Sequence, residues 1–95
     1  MKTLSPKRKI QKTSRFTRDV KKLPTSVQEE AFSIAQQLAD DVFHPELNVR
    51  HMTGFKGICR VVVMIEYRII FSFDTETLYL LRIGHRKEIY RKLEL

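Results

Sequence analysis

The sequence predicts an α+β domain: two N-terminal helices packed on a mainly antiparallel sheet of about four to five strands, with a short helix closing the chain. Three observations carry this expectation. Apolar residues recur at helical spacing through residues 14–42. From Leu47 they gather instead into short runs of β-branched and aromatic residues. The breaks between those runs are too short for crossover connections, which forces antiparallel neighbours.

The elements follow in order. Arg8 to Thr13 has the length of one edge strand, with Ile10 as its strong apolar residue. Ser14 can cap a helix in which Phe16, Val20 and Leu23 form one stripe beneath Arg15, Arg18, Lys21 and Lys22, and Pro24 ends it. Ser26 and Glu29 have the form of a capping box for a second helix. Its buried stripe is Val27, Ala31, Ile34, Leu38 and Val42. Strands are expected at 47–52, 58–64, 67–73 and 77–83. Gly54 and Gly57 separate the first pair, Ile65-Glu66 makes a tight connection without the usual Gly or Asn, and Asp74-Thr75-Glu76 makes a turn. Gly84 is expected to end the last strand, and Arg86 to Leu93 to form a short helix with Ile89 and Leu93 inward. Tyr67, Phe71 and Phe73 read as core, and Cys59 as a small packed residue.

At 95 residues, with 42% hydrophobic and 31% charged side chains, the chain fits one globular domain. We expect a flexible basic N-terminus at residues 1–7 and a single domain over 8–95. The net charge of +7 points to a polyanionic partner. The charge is unevenly spread. Residues 1–22 hold nine basic side chains against Asp19 alone, residues 23–48 hold five acids and no Lys or Arg, and residues 49–95 are basic again. A one-sided binding surface follows. The longest apolar run, Val61 to Ile65, is far short of the about 20 residues a membrane span needs. No apolar stretch follows the basic N-terminus as in a secretory signal, and the single Cys59 allows no internal disulfide, so a cytoplasmic protein is expected. No Cys or His stands at ligand spacing, so neither a metal nor another cofactor is expected.

Four segments in order carry a family resemblance: Val20-Lys21-Lys22-Leu23-Pro24, Gly57-Ile58-Cys59-Arg60-Val61, Glu66-Tyr67-Arg68-Ile69-Ile70-Phe71, and Arg82-Ile83-Gly84-His85-Arg86-Lys87-Glu88-Ile89-Tyr90-Arg91. With the order of elements, they resemble the RelE/ParE toxin family of type II toxin-antitoxin systems, nearer to its RelE-like mRNA interferases, over nearly the whole chain from about residue 8. The resemblance implies a small basic toxin held inactive by a cognate antitoxin. RelE-like members enter the ribosomal A site, against small-subunit RNA, and cut mRNA without metal, whereas ParE-like members poison DNA gyrase on the same fold.

Metal-free RNA cleavage uses the neighbouring 2′-hydroxyl as nucleophile. The protein must then supply a proton acceptor, a proton donor and cations for the crowded phosphate. By the resemblance, Arg60 and Arg68 match the phosphate-handling cations, Arg86 the Arg of the closing motif and Tyr90 its late aromatic residue. His85 precedes them, and imidazole titrates near neutrality. Lys56, Arg82, Lys87 and Arg91 are the expected further phosphate contacts. In a helix Arg86 and Tyr90 would share one face. Arg86 and Lys87 at its start would oppose the helix dipole, which reads either as a phosphate site or as solvated surface cations. One departure stands out: Val62 occupies a position where RelE-like toxins carry a second basic residue on the strand of Arg60.

Three functions remain open on the sequence: a ribosome-dependent mRNA endoribonuclease, a gyrase inhibitor using the same basic surface, and an RNA-binding scaffold of weak activity. The first requires Arg60, Arg68, Arg86 and Tyr90 to converge on one concave face.

Overall fold

β1 (Lys9–Lys12), α1 (Ser14–Lys21), α2 (Thr25–Asp40), β2 (Arg50–His51), β3 (Cys59–Val63), β4 (Tyr67–Phe73) and β5 (Thr77–His85) follow one another in a computed structural model that describes residues 7–91, 93 and 95. The strands form a single five-stranded sheet in the order β1-β5-β4-β3-β2. The four C-terminal strands are antiparallel, as their connections require, and β1 joins β5 in parallel. Most of the expected flexible terminus, residues 1–6, lies outside the described residues. Lys7, expected to belong to it, is anchored on α2 instead, with its Nζ 2.8 Å from Gln36 Oε1 and 3.6 Å from Asp40.

The helix ends differ from the sequence expectation for local reasons. Thr13, one residue before the expected cap, accepts the Phe16 amide and starts α1. α2 begins at Thr25 without a side-chain cap, so the Ser26 capping box does not form. Pro24 supplies a preset φ, and its carbonyl accepts the Val27 and Gln28 amides. The Gln28 amide group donates to the Val20 and Leu23 carbonyls and so binds α2 to the end of α1. α2 stops at Asp40, where two adjacent acids oppose the helix dipole, although Val42 remains fully buried.

The strand expected at 47–52 shrinks to Arg50–His51, because Pro45–Leu47 makes a 3₁₀ turn and Asn48 sits in the left-handed region. β3 is one residue shorter than expected at each end, and β4 spans the expected residues. β5 runs through Gly84 to His85. The short C-terminal helix does not form among the described residues: residues 86–91 are a run of turns. So brief a segment is a poor helix nucleus: the Glu88 and Ile89 amides both turn back to the His85 carbonyl and the Arg91 amide to that of Glu88, while the Arg86 amide donates to the Glu66 carbonyl at 2.7 Å.

Both helices cover one sheet face, where Phe16, Val27, Ala31, Ile34, Leu38, Cys59, Val61, Val63, Ile69 and Phe71 form the core with Leu78, Leu80 and Ile83. β5 keeps its apolar residues inward by a bulge. Phe71 pairs with Leu80 while Ile70 pairs with Arg82, so Leu81 is extra and the inward positions change from even to odd. Tyr67 and Phe73 pack on this core, as expected, and Cys59 is buried in it.

Candidate phosphate-binding site

Strand alternation sends Arg60 and Val62 of β3, and Arg68 and Ile70 of β4, to the sheet face away from the helices. Register sets them in rows: Val62 lies opposite Arg68 and Arg68 opposite Gly84, while Arg60 lies opposite Ile70. Gly84 leaves room for the C-terminal turn to fold over this face. Buried Ile89 lies on it so closely that a Cβ at Gly84 would stand 3.2 Å from the Ile89 Cδ1.

That turn completes a concavity of about 530 Å³ lined by Arg60, Arg68, Arg86, Lys87 and Tyr90. The residues expected to converge therefore do so, although the i, i+4 helix argument for Arg86 and Tyr90 fails with the helix. With no helix, Arg86 and Lys87 oppose no dipole. Val62, where the resemblance implied a second basic residue, does not line the concavity, and Lys87 brings a fourth positive side chain to it. The Arg60 guanidinium and the Lys87 ammonium have no hydrogen-bond or ion-pair partner among the described residues. Arg68 is braced: its Nη1 donates to the Ile65 carbonyl at 2.6 Å and to its neighbour Tyr67's at 2.9 Å.

Glu66, which sequence reasoning missed, organises the edge of the site. Its carbonyl accepts the Arg86 amide at 2.7 Å and its carboxylate accepts from Arg86 Nε at 3.1 Å. The same carboxylate stands 3.4 Å from His85 Nε2. The available signal was an acid, in place of a turn residue, in the tight connection beside Arg68.

The remaining expected residues lie elsewhere. His85 does not line the concavity. Its Nδ1 accepts the Lys87 amide at 3.1 Å, its Nε2 faces Glu66, and its ring meets Tyr67 edge-on at 5.4 Å. It faces a neighbouring cleft of about 810 Å³, which Arg91 also lines. Lys56 is exposed in the loop between β2 and β3, apart from the concavity. Arg82, expected to contact phosphate, is bound to Asp19 through Nε at 2.8 Å and Nη2 at 3.1 Å. Cys59 stands 3.5 Å from His51 Nδ1 beside a separate cavity of about 310 Å³. Burial pushes its thiol pKa up, the opposite of what activates a nucleophile.

Chemically, four cations and a phenol converge with a carboxylate at their edge. Guanidinium groups bind phosphate oxygens through charge-assisted bonds and stabilise charge that develops there.

Comparison with protein families matches residues 10–90 to the ParE toxin of type II toxin-antitoxin systems, parDE. Among solved structures, the RelB-RelE antitoxin-toxin complex from Methanococcus jannaschii has a chain 21% identical, with a TM-score of 0.72, over 87% of this chain and 98% of that one. The E. coli DinJ-YafQ toxin-antitoxin complex matches at 17% identity and a TM-score of 0.66, over 90% and 99%. The intact E. coli RelBE toxin-antitoxin complex matches at 15% identity and a TM-score of 0.67, over 82% and 95%. No curated protein matches the sequence.

Proposed function

The chain belongs to the ParE toxin family of type II toxin-antitoxin systems, with a RelE-like fold, and from that premise we propose that it is a ribosome-dependent mRNA endoribonuclease. It acts in the cytoplasm, arrests translation and is neutralised by a cognate antitoxin. The convergence of Arg60, Arg68, Arg86 and Lys87 with Tyr90 around one concavity carries this reading.

The chain's residues have distinct parts in the reaction. The 2′-oxygen attacks the adjacent phosphorus, the bond to the 5′-oxygen breaks, and a 2′,3′-cyclic phosphate and a 5′-hydroxyl result. Arg60, Arg68 and Lys87 take the non-bridging oxygens as negative charge gathers on them. Glu66 sets the guanidinium of Arg86 for the same task. Tyr90 gives a proton to the departing 5′-oxygen, and the proton of the 2′-hydroxyl goes to a water at the mouth of the site. His85, turned to Glu66, serves as a positioning residue rather than the proton acceptor. The antitoxin reading draws support from the relatives seen as toxin-antitoxin complexes.

A second reading has its own support: the matching family description is that of ParE. On it, the same basic surface docks on DNA gyrase. Induction of the chain alone in a bacterial host separates the readings, with primer extension on a translated mRNA and parallel labelling of new protein and DNA. Translation-dependent cuts that vanish in folded Arg60→Ala and Arg86→Ala variants support the nuclease. Intact mRNA with early loss of DNA synthesis supports the gyrase reading. Growth without arrest leaves an RNA-binding scaffold of weak activity.

A further inference from the structure

The connection from β3 to β4 breaks two local rules at once. Met64 and Ile65 have φ values of 49° and 67°, a region that bulky and β-branched residues avoid and in which hairpins place Asn or Gly. The Glu66 amide donates to the Met64 carbonyl at 2.6 Å across Ile65. This is a γ-turn of the positive-φ kind, the rarer and strained one. The side chains gain no burial in return: Met64 is 49% exposed and Ile65 73%. Strain persists where surrounding contacts impose it, and it collects at functional sites.

The three-residue connection between the paired Val63 and Tyr67 demands positive φ, and two contacts fix its shape. Arg68 Nη1 holds the Ile65 carbonyl at 2.6 Å, and the Glu66 carbonyl holds the Arg86 amide at 2.7 Å. Both arginines line the cation concavity. An apolar knuckle is thus fixed in the open, its backbone held by two residues that line the concavity.

We propose that Met64 and Ile65 form a wedge that packs on the face of a nucleobase beside the phosphate held by the arginines, parting it from its neighbour in the strand. The inference rests on the nuclease reading and adds a contact to it. A nucleic acid seated on the cations carries bases on either side of the bound phosphate, and Ile and Met are among the side chains that insert between base steps and unstack them. Single-stranded RNA is recognised with its bases splayed out and packed on side chains. Unstacking also frees the sugar-phosphate backbone to bring the 2′-oxygen in line with the departing oxygen. The backbone strain then has a use: it aims two apolar side chains outward at a fixed distance from Arg68 and Arg86.

The test is the double variant Met64→Asn/Ile65→Gly. Asn and Gly adopt positive φ readily, so the turn is kept and only the side chains are lost. Wild type and variant are compared in a bacterial translation extract by primer extension on a translated mRNA, with thermal unfolding of both. The expected result is an unfolding midpoint equal to or above that of wild type, with cleavage down about tenfold or more in kcat/KM. A photo-crosslinking amino acid in place of Ile65 should link to the nucleotide flanking the cut. Unchanged cleavage, or crosslinks only to protein, overturns the wedge while leaving the nuclease reading intact. A wild-type chain that cuts nothing overturns the nuclease reading, and the wedge with it.

Discussion

Glu66 grips Arg86 twice, through its carbonyl to the Arg86 amide at 2.7 Å and through its carboxylate to Nε at 3.1 Å. The second bond lies on the surface, with both side chains close to half exposed. Such pairs contribute only about 0–1 kcal/mol to stability, so their value is in orientation. Glu66→Ala should therefore leave the unfolding midpoint nearly unchanged while lowering mRNA cleavage by roughly tenfold or more, as expected for a mispositioned catalytic group. Glu66→Gln, which keeps an acceptor oxygen for Nε, should recover part of the loss. Equal activity in all three proteins would show that Arg86 needs no such support.

Arg82 and Asp19 form the opposite kind of pair. Their side chains are 19% and 14% exposed, and two short bonds join them. Asp19 also accepts the Ile83 amide at 3.1 Å, taking the place of a neighbouring strand where β1 no longer covers β5. Removing either partner leaves the other charge poorly solvated, at a cost of about 3 kcal/mol. Arg82→Ala and Asp19→Ala should each lower the urea midpoint accordingly, Asp19→Ala more, because it also orphans the Ile83 amide. The fraction that stays folded should bind a single-stranded RNA oligonucleotide as well as wild type does. Weaker binding by folded Arg82→Ala would return Arg82 to the phosphate contacts.

Much of the fold was legible because it is local. The stripe Val27, Ala31, Ile34, Leu38 is buried along its whole length, and β4 is rich in β-branched and aromatic residues, interrupted only by Arg68 and Ser72. The bulge was not legible, because Leu78, Leu80, Leu81 and Ile83 read as apolar on either strand face. Gly84 looked like a strand end because its reason, the packing of Ile89, comes from tertiary structure. The site divides in the same way. Arg60 and Arg68 meet through strand register, which short connections determine. The duties of Glu66 and Asp19 depend on partners 20 and 63 residues away, and no spacing rule announces them.

Asp74 makes one part of the fold's stability sensitive to acid. Its carboxylate accepts the amides of Glu76 and Thr77, each at 2.8 Å, and the Tyr79 hydroxyl at 3.2 Å. Those amides first, then the Tyr79 hydroxyl and the nearby Arg8 charge, hold its carboxyl below the usual carboxylate range. The folded-state pKa thus lies below the unfolded value of about 3.9, so the stabilisation is present above that pH and is lost as pH falls through the folded value. Asp74→Asn should be less stable than wild type at neutral pH. The gap in urea midpoints should narrow as pH drops from about 5 to about 2.5. A gap that stays constant over that range would place the acid sensitivity on other carboxylates.

Gly84 links the sheet to the cation concavity without lining it. The nearest atoms a methyl group there meets are those of the Ile89 side chain, Cδ1 at 3.2 Å and Cβ at 3.8 Å, so Ile89 must yield by a few tenths of an ångström. Ile89 belongs to the turn that carries Arg86, Lys87 and Tyr90, and movement of that turn displaces three of the five lining side chains together. Gly84→Ala should cost about 1–2 kcal/mol of stability through overpacking and reduce cleavage by more than that loss accounts for. The second-site change Ile89→Val removes Cδ1 and makes room for the new methyl. In a double-mutant cycle, Gly84→Ala/Ile89→Val should therefore cleave better than Gly84→Ala alone, a coupling that two independent defects would not show.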